Sequence, residues 1–496
     1  MSSRVVMESR TKRIVGVALF LSSMGPALVD GTVACTSKST SETKPSSVIV
    51  IGLSASLKGS NAGVGAVIRD GTQCAVNLIN ARGGVLGKSL QLDVGDDASD
   101  NSGQGGNILR GVINGFLDRH VTAILGPGAS VQLADAQRAA FLRDDAGVAA
   151  PGTQPTLVIS AWATSPSITT IQPPWPNRYL YRTVPSDLFQ SRAMFKVMTE
   201  GSSVTADAGV PIDGGPGATR RCQRPFLVYT TDIVGQGYFA YLPGAFSKIG
   251  VELKTTSVPT NAISDYTAQI DQIIAARADC IALAGYLDPA VAMLPKLREA
   301  IDTAKRNNNY PADYSLIGND ALNDLKFIDE IKKTNGQIIE GMIGVAPDTA
   351  PLTREYTEFQ TLLQTHTGRT GRKDGGEDDA AYAANAFDAV VLLALALQMA
   401  GTTTDTVKIR DALVAVSRGY PAGQKTSVGV TPKIVGPGTL DDAFTAISTG
   451  GAIDYAGASG PVDFDDNGDV AGTYIKWTIK DGRFHTVNHY VPADLE

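Results

Sequence analysis

The chain has 496 residues, more than one ordinary hydrophobic core occupies, so two or three domains are expected. Charged residues make up 19%, aromatic residues 6%, and the formal net charge of −7 is modest and spread along the chain. That balance excludes the basic footprint of a nucleic-acid binder, and abundant Gly and Ala suit an α/β protein with many tight turns.

Arg4, Arg10, Lys12 and Arg13 precede a largely apolar stretch at 14–29, and Ala34-Cys35 follows. A basic head, a short apolar run and a small residue before the cleavage point describe a secretory signal. The run is shorter than the ~20 residues that span a bilayer comfortably. A small residue directly before Cys35 resembles a bacterial lipobox, although Thr32 stands where Leu is usual and Asp30 is close by. Lipidation at Cys35 and plain secretion are the two readings. Residues 36–47, rich in Ser, Thr, Lys and Pro, read as a flexible tether.

Apolar runs then alternate with helical patterns. Val48-Ile49-Val50-Ile51 reads as a strand; Val67, Cys74, Ala75, Leu78 and Ile79 recur at helical spacing until Gly83-Gly84 stops the helix. Strands at 90–94, 123–125 and 157–159 are separated by helices at 108–117 and 130–142. This alternation implies right-handed crossovers and a parallel sheet. It restarts at Phe226-Leu227-Val228-Tyr229, with strands expected at 251–256, 280–283 and 314–317 and helices at 238–249, 266–276 and 290–304. Between the two units, Tyr181-Arg182-Thr183-Val184-Pro185 is an extended segment suited to a hinge. Residues 380–400 form a long apolar helix containing Asp388, read as a buried packing helix. Residues 204–221 and 419–460 read as surface insertions.

Few motifs carry chemistry. Gly87-Lys88-Ser89 matches the end of a P-loop, but Arg82 stands where the upstream glycine belongs. Residues 463–468 fit half of a calcium loop, yet Tyr474 occupies the twelfth position, so a polar turn is expected. His485 and His489 lie in a strand-like tail, and no metal or cofactor is expected. Cys222 and Cys280 each lead into a strand of what reads as one sheet and form a disulfide candidate, while Cys74 lies on a helix's apolar stripe. Strand ends are the informative places, because ligands of open α/β sheets bind outside them. Gly126-Pro127-Gly128-Ala129-Ser130 offers backbone N–H groups and a hydroxyl to an anion, or Ser130 simply caps its helix. The loop Ser160-Ala161-Trp162-Ala163-Thr164-Ser165-Pro166 repeats the theme. Trp162 is either a pocket wall or a packing residue.

An ordered set of segments carries a family resemblance: 79–87, Asp96-Asp97, 124–127, 159–166, Tyr181-Arg182-Thr183 with Asp187, Gly235-Gln236-Gly237, 387–390 and 460–465. From Val48 to His485 the chain resembles the periplasmic leucine/isoleucine/valine-binding protein family, the type I receptor-family ligand-binding proteins. The resemblance implies an α/β fold of two lobes, each a parallel sheet flanked by helices, joined by three hinge crossovers. Residues 48–183 and 343–455 would form the first lobe, 184–342 and 456–496 the second. It implies closure on a small polar solute such as a branched-chain or related amino acid, and delivery to the membrane permease of an ABC importer. In that frame Ala129, Ser130, Trp162 and Thr164 would meet the solute carboxylate, Asp320 its ammonium, and Tyr286 would line the pocket. Asp320 also reads as a helix N-cap. Val234 replaces a family Tyr, and Ser99 replaces one cysteine of the first-lobe disulfide, which leaves the solute open. The implied protein is a monomeric binding protein of the periplasm or cell surface, held to the membrane by its lipid alone, not an enzyme and without a nucleic-acid partner. A sensor of amide, urea or aromatic-acid solutes on the same frame is the alternative.

Overall fold

A computed structural model describes residues 48–59, 61–97, 105–128, 130, 133, 155–200, 222–311, 313–370, 380–424, 429 and 431–495. Cys35, the tether, Ser99, Ala129, most of the helix expected after Ser130, and the segment 204–221 lie outside the described residues.

β1 (Val48–Ala55) is a continuous apolar run, buried on nearly every residue from Ile49 onward, as a central parallel strand must be. With β2 (Ser89–Asp96), β3 (Ala123–Leu125), β4 (Leu157–Ser160) and β5 (Leu180–Arg182) it forms a five-stranded parallel sheet in the order β2-β1-β3-β4-β5. The helix Ala62–Ala81 buries Val67, Cys74, Ala75, Leu78 and Ile79, the stripe its spacing predicts. Gly84 ends that turn at φ +78°, and a Cβ there would lie 1.9 Å from the Lys88 carbonyl oxygen. Against this helix packs Ala383–Ala400, buried continuously from Ala383 to Leu397. Among the described residues it is the one helix long and apolar enough to cross a membrane, and its burial makes it a core helix.

The second sheet has five parallel strands: β6 (Pro225–Thr230), β7 (Lys254–Val258), β8 (Cys280–Ala284), β9 (Ser315–Gly318) and β10 (Ile343–Pro347). Cys222 and Cys280 are joined in a disulfide across a 5.6 Å Cα separation, tying the start of β6 to β8. β10 corrects the expected boundary at 343. Its Ile343 and Gly344 pair with Ile317 and Gly318, and its apolar residues are buried within the second sheet, so the chain returns to the first lobe only at Asp348.

The segment 419–460 is likewise more than a surface insertion. β11 (Lys433–Val435), β12 (Ile453–Gly457) and β13 (Gly460–Pro461) form a small sheet, and Val435, Leu440, Ala443, Ile453 and Tyr455 join the first-lobe core. Asp388 anchors this addition: its carboxylate accepts from Tyr455 Oη (2.7 Å), the Ala458 and Ser459 amides and Ser459 Oγ (2.6 Å). Val462, Phe464 and Val470 also belong to the first core, so the last crossover falls near 471–473 and not at 456. β14 (Tyr474–Lys480) and β15 (Arg483–Tyr490) then add antiparallel to β10, giving the order β15-β14-β10-β9-β8-β6-β7. The second sheet is therefore mixed rather than wholly parallel. The chain passes between the two lobes three times, after β5, after β10 and before β14.

Candidate functional site

The loops after β3 and β4 are stitched together. Ser160 Oγ donates to the Pro127 carbonyl (2.9 Å) and accepts from the Ala163 amide (3.1 Å), while the Ser165 amide donates to Ser130 Oγ (3.0 Å). Ser130 is buried, and among the described residues nothing takes the hydrogen of its hydroxyl, which remains to donate into the cleft. Trp162 lies against Gly128, where a Cβ would sit 2.4 Å from Cε3, and its ring is 6.1 Å from that of Tyr382. Trp162 is thus both a packing residue and a wall. Thr164 Oγ1 donates to Asp187 Oδ2 (2.8 Å), so toward the cleft the hydroxyl offers lone pairs rather than a hydrogen. Buried Arg182 donates to the carbonyls on either side of Thr164, those of Ala163 (3.3 Å) and Ser165 (2.9 Å).

The opposite wall comes from the ends of β8 and β9. Tyr286 follows β8, and its hydroxyl donates to Asp232 Oδ2 (2.7 Å). Asp232 also accepts from Thr230 Oγ1 (2.6 Å) and caps the helix Ile233–Lys248. Asp320 opens a short 3-10 turn after β9 whose N-cap position belongs to Asn319, so Asp320 is not itself the cap. Its Oδ1 accepts from Gln190 Nε2 (3.1 Å) and Asn319 Nδ2 (3.3 Å), and its Oδ2 accepts from Tyr382 Oη (3.1 Å). Tyr382 belongs to the first lobe, so this last bond crosses the cleft, as does Ser165 Oγ to the Ile233 carbonyl (2.9 Å).

Ser130, Trp162, Thr164, Tyr286 and Asp320 all line one cavity of about 410 Å³, together with Gly128, Val234, Asn319 and Tyr382. Ala129 is outside the described residues. Tyr382, Asn319, Gln190, Asp187 and Asp232 join the site through contacts that the sequence does not display. An aromatic side chain in an aromatic-poor chain, directly before a buried helix, was the available signal for Tyr382.

The electrostatics are one-sided. Asp187, Asp232 and Asp320 gather at the cleft. Of the cations, Arg182 pairs with Asp469 at 2.7 Å, Arg369 with Asp70 at 2.8 Å, and Lys326 is exposed on the wall. Burial raises the Asp320 carboxyl above its usual range against the donors Gln190 and Tyr382. Burial and then Asp320 push Asp187 well up. Burial and the neighbouring carboxylates keep the Tyr286 and Tyr382 phenols protonated. Among the described residues no group of three or more His, Cys, Asp or Glu is placed to hold a metal, and His489 Nδ1 lies 3.0 Å from Asp348 Oδ2. Tyr382→Phe keeps the ring and removes a bond to a carboxylate across the cleft. It is expected to cost ~1.5 kcal/mol in denaturant unfolding, and an unchanged midpoint would mean that this bond contributes nothing net.

A family model described as periplasmic binding protein matches residues 48–430. The fold is similar to a leucine-binding protein, LivK, from Thermotoga maritima, with a TM-score of 0.62 at 17% identity over 90% of this chain and 99% of that one. It is also similar to the branched-chain amino acid transporter substrate-binding protein LivJ from Streptococcus pneumoniae in complex with isoleucine (0.59, 18%, 90% and 99%). A solute-binding protein of an ABC transporter from Rhodopseudomonas palustris in complex with p-hydroxybenzoic acid aligns with 0.59 and 14% over 90% and 97%. A search of curated proteins finds no match.

Proposed function

The chain belongs to the periplasmic binding protein family, and on that premise we propose that it captures an α-amino acid between its lobes and hands it to the permease of an ABC importer. One observation carries the choice of solute. A hydroxyl donor on the first lobe, Ser130, faces the same cavity as a carboxylate on the second, Asp320. A zwitterion needs that pairing, an anion cradle opposite a half-buried acid, and charge-assisted hydrogen bonds make it strong. In this reading Ser130 and the loop around Ala129 hold the carboxylate. Asp320 and the lone pairs of Thr164 receive the ammonium, and Trp162, Tyr286 and Tyr382 enclose the side chain. A ring carboxylic acid, the solute class of the Rhodopseudomonas relative, would meet Asp288, Asp320 and Asp324 on the cavity wall and, among the described residues, no unpaired buried cation. The basic leader and Cys35 support export and a lipid anchor, with the folded part working as a monomer outside the cytoplasmic membrane.

The test is a thermal-shift screen against α-amino acids, amides, ureas and small carboxylates. A solute at a hundred times its Kd stabilises by ~2.7 kcal/mol, which is easily seen. Shifts confined to α-amino acids support the zwitterion site. A response to benzoate-type acids alone would overturn it while leaving a solute-binding protein.

A further inference from the structure

Beneath the cleft lies a group of buried polar atoms that the solute site does not use. Asp187 and Gln190 share one face of the helix Asp187–Thr199, one turn apart. Asp187 Oδ1, Gln190 Oε1 and Asn319 Oδ1 are buried acceptors with no partner. The amide orientations are not free to change. Gln190 Nε2 already donates to both Asp320 Oδ1 and the Val345 carbonyl (3.0 Å), and Asn319 Nδ2 donates to Asp320, so a flip would set oxygen against oxygen. Asp187 is 1% exposed and Gln190 is enclosed, while Asn319 borders the solute cavity. The buried Tyr238 hydroxyl, itself without another partner, lies beside Asn319. Among the described residues that leaves Asp187 Oδ1 and Gln190 Oε1, on one face of the same helix, as buried acceptors without a donor, and a hydrogen on Asp187 Oδ1 would supply one.

We propose that Asp187 is a proton-binding site, protonated on Oδ1 when the closed cleft holds no cation, and that the ammonium of a captured amino acid takes the place of that proton. The exchange keeps the positive charge facing the second-lobe acids level: one ammonium arrives near Asp320 and Thr164 as one proton leaves Asp187 for the solvent, and the carboxylate that arrives with the ammonium is held apart, at Ser130. It rests on the zwitterion reading for the exchange, but not for the protonation itself.

The surroundings agree. Asp320 and Asp232 face Asp187 with negative charge from the second lobe, and the nearby Arg182 guanidinium is committed to Asp469. The phenols of Tyr238, Tyr286, Tyr382 and Tyr474, which meet the cluster from four further elements, are all held well above their ordinary range and stay neutral. Burial and Asp320 raise the Asp187 carboxyl well above its usual range. The sign follows. The bound state holds fewer protons than the free state, so affinity rises as pH rises through the Asp187 titration and falls as pH is lowered.

The experiment combines infrared spectroscopy with calorimetry on the intact protein. The solute-free protein at neutral pH should show the C=O band of a protonated carboxylic acid that Asp187→Asn removes; the subtraction separates Asp187 from Asp388, which burial also raises, to about 6. Addition of L-leucine or another neutral α-amino acid that shifts the melting point should abolish that band. The binding heat should vary with buffer ionisation enthalpy, reporting release of up to one proton, and Asp187→Asn should bind without that dependence. Absence of the band in the wild-type protein overturns the proton site. Persistence of the band on binding, or a heat independent of buffer, overturns the exchange. If no α-amino acid binds, the zwitterion reading fails, and the band still decides the proton site by itself.

Discussion

Asp320→Ala is expected to weaken the binding of an α-amino acid by ~1.5–3 kcal/mol, roughly 10- to 150-fold in Kd. The loss has two parts. The ammonium forfeits its carboxylate partner, and Gln190 Nε2, Asn319 Nδ2 and Tyr382 Oη lose the acceptor that now holds them. Asp320→Asn separates the two, since an amide keeps an acceptor oxygen for Tyr382 but removes the charge. Titration calorimetry on the three proteins checks the order, with wild type tightest and Ala weakest. Unchanged affinity in Asp320→Ala would remove this residue from the solute site. A small carboxylate without an ammonium gives the opposite sign: losing a negative charge from the cleft should tighten its binding, and a solute that behaves so is not a zwitterion.

The residues legible in the sequence share one property: each sits just past the end of a parallel strand. Ser130, Trp162, Thr164, Tyr286 and Asp320 follow β3, β4, β8 and β9, and strand ends are visible as apolar runs broken by Gly, Ser or Asn. Their neighbours were not legible for the complementary reason. Tyr382 reaches Asp320 only because the two lobes meet, and Asp232 matters to Tyr286 across 54 residues. No periodicity records such a contact. The boundary expected at 343 falls before β10 instead of after it because Ile343–Pro347 is a short apolar run that serves equally well in either sheet; only its pairing with β9 and β14 decides. The segment 419–460 reads as surface because Gly, Pro and Thr are frequent in it. Its few apolar residues nevertheless suffice to bury one face, and Asp388, isolated in a long apolar helix, is what holds its turn.

The half calcium loop gives the second large effect. Asp465 Oδ1 accepts the amides of Asn467 (2.8 Å) and Asp469 (2.9 Å), so that carboxylate closes a turn instead of waiting for an ion. The turn lies against β5: the Arg182 amide donates to the Gly468 carbonyl (3.0 Å), and a Cβ on Gly468 would come within 2.5 Å of the Leu180 carbonyl oxygen. It presents Asp469 to Arg182, whose side chain is 1% exposed, and to Thr169 Oγ1 (2.6 Å). The same guanidinium holds the carbonyls beside Thr164, so one ion pair links the last crossover to the solute loop. Asp469→Ala would leave a buried guanidinium without its counter-charge, and the expected loss is ~3–5 kcal/mol of unfolding free energy, read from the denaturant midpoint. Asp469→Asn retains an acceptor for Arg182 or Thr169 and should lose less. If Asp469→Ala unfolds at the wild-type midpoint, the pair is dispensable and Arg182 is held by carbonyls alone. If it loses stability as expected, the surviving folded fraction should also bind its solute more weakly, because the carbonyls that orient Thr164 have lost the charge that fixed their donor.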